Sequence, residues 1–510
     1  MSEPPGTAYT LGSLFDHPVD GGSKRAVAVQ AATANTLVAL FSVIVTLGFI
    51  AGWKVLSHTL AICFPDEVDF VAQRKGWSGL STFLTELLTM KWDKAAVCSC
   101  TPSKPGASSR YIEAILVLIA LTFFVGSVTA GIMVPPLLII GTTAPAQPDA
   151  VYFPVAPLGM TAAEASRHQA LFAPAAMRAL GGVSAAQASS AGQVSVRRVT
   201  VPAGNKPKVR VDYSYSITGK DFGLQKLSRL RHAVEGSCVT EYGWLSSTEE
   251  IGDFYNLWGI SSEAKAVYRT EVSEPPWASM HLHPDTQRTT VESGNNSFAV
   301  VVHSAGRASY TTTLDPWYAT YLPIGNDSTG QIRVQPGRPP LSCWQKDSWS
   351  LNGQTVDGVF AIDDLPGLNL PESWHVLLQR HFAAPKIVDI GISLDRAVLV
   401  SSTTSLNGVF NAEASNLFDD MRRLVWAAFV ASRDAFKDTT MTVERFNIHN
   451  AATGPEGTPA DRVAEFVLVT SAVAALSVEV LVAVPVICFI FIIAATSPVL
   501  KFVTGLIKRK

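Results

Sequence analysis

The chain has 510 residues, a formal net charge of -2, 47% hydrophobic and 16% charged residues, and a mean hydropathy of +0.23. Near-neutral charge gives no basis for nucleic acid as a partner. The apolar excess is high for a wholly soluble protein, and it lies in three runs rather than being spread along the chain.

Residues 1–30 contain Pro4, Pro5, Gly6, Gly21 and Gly22 with little periodic apolar pattern, and are expected to form a flexible N-terminal tail. The charge-free run from Val27 to Trp53 follows, and a first transmembrane helix is placed at 31–53. It starts too far from Met1, and runs too long, for a cleaved secretory signal. Gly48 and Gly52 give it a GxxxG spacing, which lets a second helix approach closely. The loop 54–110 carries Lys54, Arg74, Lys75, Lys91, Lys94, Lys104 and Arg110 and reads as cytosolic. Within it, residues 77–92 place Trp77, Leu80, Phe83, Leu84, Leu87, Leu88 and Trp92 on one helical face, the pattern of an interfacial amphipathic helix. Cys98 and Cys100 beside it are candidates for S-acylation.

A second transmembrane helix is placed at 111–138. Counting from Arg110, the residues Ala114 to Val134 cover about 31 Å at a rise of about 1.5 Å per residue. Pro135 and Pro136 then fall at the far edge of the bilayer, where a helix can stop without leaving unsatisfied backbone in lipid. They read as an exit from the membrane rather than a mid-membrane break.

Residues 145–462 are expected to form a β-rich α+β ectodomain, lumenal or extracellular, because no Lys or Arg follows the second span until well inside it. Helices are expected near Thr161–Leu171 and Pro174–Leu180, the latter ended by Gly181 and Gly182. The alternation in "KVRVDYSYSI" predicts a half-buried strand, with Val194–Val201 as its neighbour. Further strands are expected at Ser297–His303, Ala308–Leu314, Gln331–Val334, Val359–Ile362, Val388–Leu394 and Ala397–Ser401. Asn352–Gly353 and Asn407–Gly408 are hairpin-turn candidates. A long amphipathic helix is expected at about Asn416–Phe436.

A third transmembrane helix is placed at 466–500, before a basic cytosolic tail at 501–510. Counting inward from Lys501 puts Glu479 near the outer interface, with Val463 to Val478 as helix projecting beyond it. Three crossings leave the N-terminal tail on the ectodomain side. The expected fold class is thus a membrane protein with three transmembrane α-helices and a β-rich ectodomain, in the plasma membrane or endomembrane system.

The organisation, and above all the stretch "FFVGSVTAGIMVPPLLIIGTTAPAQPDAVYFP", resembles multi-span membrane proteins of filamentous fungi that carry a large ectodomain. That resemblance implies the membrane layout and brings no activity with it.

No GxSxG, HExxH, Walker, GxGxxG or EF-hand pattern occurs, so no catalytic residue and no cofactor is assigned. Cys238 and Cys343 are the two ectodomain cysteines, and an oxidising compartment would pair them. His281 and His283 lie at i and i+2 with Asp285 two further on, a weak metal-ligand spacing that lacks an identified further ligand. Asn295 and Asn326 open glycosylation sequons. The carboxylate pairs Glu249–Glu250, Asp363–Asp364 and Asp419–Asp420 read as surface charge. Eight of the 11 tryptophans fall in the ectodomain; Trp344, next to Cys343, is expected to pack beside the disulfide. These observations imply a bilayer-anchored domain that binds a protein or glycan ligand. A membrane-anchored hydrolase acting on glycans and a transporter or channel component are the other readings. The oligomeric state is left open.

Overall fold

A computed structural model describes residues 8–63, 107–155, 161–202, 208–269, 272–285, 294–323, 331–394, 396, 398–405, 407–442, 448–454 and 456–496. The amphipathic segment 77–92, Cys98, Cys100, Asn326 and the 501–510 tail lie outside the described residues. The chain divides into two compact units, one made of 145–468 with 1–9 and 18–23, the other of 10–17, 24–144 and 469–510.

The smaller unit joins a four-stranded sheet to three apolar helices. Its strands are Leu14–Val19, Gly22–Gln30, Val473–Ser477 and Ile139–Gly141, in that spatial order. Residues 14–30 are therefore not the flexible tail expected. Their alternation Val27, Val29 is short, but pairing with strand 473–477 completes their backbone hydrogen bonds. The helices are Ala31–Cys63, Ala107–Met133 and Val478–Thr496.

Side-chain contacts fix the helix directions. Ser42 donates to the Gly131 carbonyl at 3.1 Å, and Trp53 meets Phe123 with ring centroids 5.5 Å apart, so helices 31–63 and 107–133 are antiparallel. Gly48 abuts Cys488 and Gly52 abuts Phe491, so helices 31–63 and 478–496 run parallel. The GxxxG spacing thus does what it predicts. A Cβ at Gly48 would lie 2.5 Å from Cys488 Sγ, closer than atoms can pack. We expect Gly48→Leu to separate the two helices and cost about 1–3 kcal/mol. Gly126→Leu, where a Cβ meets nothing within 4 Å, is the neutral control. Thermal unfolding in detergent reads the difference.

Helix 107–133 stops one residue short of Val134, and Pro135–Leu138 forms a single 3₁₀ turn before strand 139–141. Pro135 and Leu138 are buried, Leu138 in a small cluster with Ala34, Phe41, Ala474 and Leu476. The third apolar run departs from expectation. Residues 467–469 and 473–477 are strands, and helix begins only at Val478. "VAALS" is buried along its whole length between two strands, an environment that favours a central β-strand over a projecting helix. Glu479 sits in the first turn of the helix, at its sheet end.

The larger unit is α+β. Its centre is an antiparallel seven-stranded sheet in the order Trp277–Leu282, Asn295–His303, Leu341–Leu351, Arg231–Thr240, Lys208–Thr218, Val194–Val201, with Gln354–Asp357 also paired to strand 341–351. The Asn352–Gly353 turn joins that last pair, both residues at positive φ, the conformation a type I′ hairpin requires. One sheet face carries the core: Val211, Tyr213, Tyr215, Val234, Phe298, Val300 and Trp349 pack under helices Ala173–Ser189, Glu372–Phe382, Lys386–Leu394 and Leu417–Arg433. Part of the opposite face lies under a second, three-stranded sheet, where Tyr255, Leu257 and Val267 cluster with Ala299 and Val301.

Five local expectations are corrected. Helix 173–189 runs through Gly181 and Gly182, so neither ends it. Val388–Leu394 belongs to helix Lys386–Leu394 instead of a strand: Ile387, Val388, Ile390 and Gly391 are buried at helical spacing, while Asp389 pairs with Lys386. Val359–Ile362 is a 3₁₀ segment. The described residues of 397–401 form no strand, and Ala308–Leu314 keeps only Ala308–Ser309.

Candidate functional site

Alternation along each strand sends every second side chain to the outer face of the main sheet. The registers place Ser297, Trp344, Ser237, Asp212 and Arg197 in one row across five strands. The next row brings Ser342, Val239 and Arg210 together. Where the small second sheet ends, these rows floor a cleft of about 840 Å³, walled by Trp258 and His283. Trp344 is 50% exposed, a large ring on an open surface. Trp258 is held at φ 55 beside Gly259 at φ 74, a strained turn that aims its ring into the cleft, edge-on to His283 at 4.7 Å and tilted on Trp244 at 5.5 Å. Arg210 pairs with Asp212 at 3.1 Å, and the Ser237 hydroxyl donates to the same carboxylate at 2.7 Å. Lys208 pairs with Glu241 at 3.2 Å at the cleft's far end. The chemistry is a flat apolar ring flanked by hydroxyls and the Arg210–Asp212 ion pair. It suits a ligand with a flat apolar face and many hydroxyls.

Trp344 therefore does not pack beside the disulfide. In a strand, the neighbour of Cys343 must point to the opposite face. The alternation of "LSCWQKDSWSL" already carried that signal. Cys238 and Cys343 themselves are directly opposed on strands 231–240 and 341–351, with Cα atoms 4.1 Å apart, and are bridged on the core face. Of the tryptophans, Trp317, Trp349 and Trp374 are fully buried and serve the core.

The histidine candidates are not gathered around one point. His281 Nε2 is hydrogen-bonded to Ser279 Oγ at 3.0 Å, and His303 Nε2 to the same hydroxyl at 2.9 Å. The His303 ring in turn stacks on Trp277, centroids 3.6 Å apart. His283 Nδ1 instead accepts from the Asp285 backbone N–H at 3.1 Å. Among the described residues no group of three or more His, Cys, Asp or Glu is placed to hold a metal ion. Burial, helped by Lys265, pushes His281 down to about 4. An unfolded histidine protonates near 6.5, so the folded state is the poorer proton acceptor and stability falls as pH drops from about 6.5 to 4. His281→Gln should flatten that part of the stability–pH curve, measured by denaturant unfolding of the full chain in detergent.

The carboxylate pairs do not converge either; among the described residues Asp212 is the one carboxylate that lines the cleft. Asp420 is fully buried, accepting from Tyr318 Oη at 2.5 Å and from the Val400 and Ser401 N–H groups at 2.6 and 3.2 Å, and burial pushes it up to about 7. It braces the loop before helix 417–433.

Two buried networks escaped the sequence reading. On the core face Tyr213 Oη donates to Gln345 at 3.0 Å, Gln345 Nε2 donates to Asp347 at 3.0 Å, and His232 Nε2 meets Asp347 at 3.2 Å. Gln345 and Asp347 sit at i and i+2 on one strand, so a polar pair at core-facing positions was the available signal. Under the helices, the Lys386 ammonium reaches His381 Nδ1 at 3.1 Å and Asp389 at 3.0 Å. Burial pushes Lys386 down, and burial with the Lys386 and Arg380 charges holds His381 well below its usual range. The hollow beside them is about 30 Å³, room for a water and not for a substrate. Both networks specify the core.

The fold and cleft define an α+β domain with a disulfide-stapled central sheet, open on part of one face and joined in one chain to apolar helices. Residues 173–468, more than half of the 510, match the family described as Domain of unknown function (DUF8406), and the chain belongs to that family. Neither the curated proteins nor the solved structures give a match.

Proposed function

We propose that this is a three-span membrane protein of the plasma membrane or endomembrane system that displays a lumenal or extracellular binding domain, with the tryptophan-lined cleft as its ligand surface. Two helices, Ala31–Leu56 and Val478–Thr496, are long and apolar enough to cross a bilayer, and Leu121–Met133 is a further apolar stretch. Support for a lipid surrounding comes from their outward side chains. Leu40, Leu47, Val125, Ile132, Phe489 and Ile490 are each 45% or more exposed, an apolar surface that water would not tolerate. Three crossings with these helix directions would leave the 54–110 loop and the C-terminal tail on one side and the four-stranded sheet on the other. Positive charge in that loop and tail makes their side cytosolic. The fungal multi-span resemblance agrees with the same layout.

The observation that carries the binding reading is the exposed Trp344 ring in a cleft floored by Ser237, Ser297 and Ser342. A half-exposed indole on a rigid strand contributes most when a partner covers it. Full chain made without N-glycans, reconstituted in nanodiscs and titrated with soluble oligosaccharides, should show saturable quenching of tryptophan fluorescence. Trp344→Ala should weaken binding at least tenfold, about 1.4 kcal/mol. Equal affinity in the variant, or cleavage of the 145–462 region by protease added to the cytosolic side of sealed vesicles, sinks the reading.

A further inference from the structure

The cleft and the one described sequon lie on the same sheet face, and nothing in the ligand-binding reading uses that. In strand 295–303 the side chains of Asn295 and Ser297 point outward while Asn296 between them is buried on the core face. Ser297 lies opposite Trp344 and itself lines the cleft. Asn295 lies opposite Lys346, which makes Trp344 its diagonal neighbour across the strand pair, about 7–8 Å away. Both Asn295 and Trp344 are exposed. The Lys346 ammonium does not stand between them. It is bound at 2.9 Å to Asp357, which pairs opposite Ser348, on the side of Lys346 away from Trp344.

We propose that Asn295 is N-glycosylated and that the first sugars of this glycan lie on the Trp344 ring, so that the chain's own glycan occupies the cleft. The linkage is an ordinary one: the Asn295 amide nitrogen forms a bond to C1 of the first N-acetylglucosamine of a lipid-linked oligosaccharide donor as the bond from C1 to the lipid pyrophosphate breaks, the lipid pyrophosphate departs and the amide nitrogen gives up one proton. From there a sugar presents its apolar face to the indole and its hydroxyls to the row formed by Ser297, Ser237 and the Arg210–Asp212 pair. The sheet is rigid at this point, because the Cys238–Cys343 bridge ties the two strands beside Trp344. The glycan therefore pays little ordering entropy on the protein side. The proposal rests on the lumenal orientation inferred above, and on the cleft being a surface for sugars.

The test uses full-length protein from a host that N-glycosylates, solubilised in mild detergent. Glycopeptide mass spectrometry should find Asn295 occupied. Peptide-N-glycanase should release that glycan at least tenfold more slowly from folded wild type than from folded Trp344→Ala, and at equal rates after denaturation. Lys346→Ala, a neighbour on the same face, should release at the wild-type rate, and the Cys238–Cys343 bridge on a non-reducing gel reports that each variant is folded. Added free oligosaccharide should quench the fluorescence of Asn295→Gln and not of the glycosylated wild type. An unmodified Asn295, equal native release from wild type and Trp344→Ala, or equal quenching of both glycoforms overturns the proposal. The orientation is read separately by protease protection in sealed vesicles. If the domain is lumenal and the deglycosylated cleft binds sugar while Asn295 is bare, this inference alone has failed. If the domain is cytosolic, the binding reading has failed with it.

Discussion

Serine at both Cys238 and Cys343 should lower the stability of the 145–468 unit by about 4–5 kcal/mol. The bridge closes a span of 105 residues, and the chain-entropy estimate for a loop that long is of that size. Both sulfurs are buried in the middle of the main sheet, so the serines add the cost of two hydroxyls placed among apolar groups. Urea unfolding of the full chain in detergent, followed by tryptophan fluorescence, measures the loss. The bridge is out of solvent's reach in the folded state, so reductant alone should act slowly. Wild type unfolded and refolded with reductant should show the loss of the link without the hydroxyl share. A difference under about 1 kcal/mol would mean that the covalent link contributes little beyond the sheet itself.

Asp347→Ala should cost about 3–5 kcal/mol, the range for removing one partner of a buried ionisable pair. Its carboxylate receives the Gln345 amide at 3.0 Å and faces His232 Nε2 at 3.2 Å, and all three residues are buried. His232 is also held between Trp349 and Phe382, with centroids 4.6 and 4.7 Å away, so it has no route to water when its partner goes. Gln345 loses its acceptor at the same time, and that loss passes to the Tyr213 hydroxyl it receives. Asp363→Ala, an exposed carboxylate near His375, is the comparison and should stay within about 0.5 kcal/mol. Equal effects of the two substitutions, read by the same urea titration, would show that the buried chain has no special weight.

Much of the architecture was legible because it depends on local chemistry. The apolar runs, the helix stop at Pro135–Pro136, the GxxxG contact and the Val194–Val201 and "KVRVDYSYSI" strand pair each follow from spacing alone. So did the pairing of Cys238 with Cys343, the two cysteines of the region. The failures have separate causes. "VAALS" after Thr470 is too short for a period to show, whereas "IVDIGISL" after Pro385 places Ile387, Val388, Ile390 and Gly391 at helical spacing with Asp389 off that face, a signal the strand expectation passed over. One became a central strand because two strands flank it, and the other a helix because it lies on the sheet's core face against Met280.

The candidate site was legible in its parts and not as a place. Trp344 and Asn295 could be picked out singly. Their meeting depends on registers such as Ser297 with Trp344 and Trp344 with Ser237, which long-range strand pairing sets. By itself the sequence determined which segments are the most apolar, where the second long helix ends and which cysteines could bridge, because these are properties of composition and short-range spacing. Only the tertiary structure decided that Asn295 and Trp344 share a face, that residues 14–30 form strands and that Asp347 faces His232, because each depends on backbone partners far away in sequence.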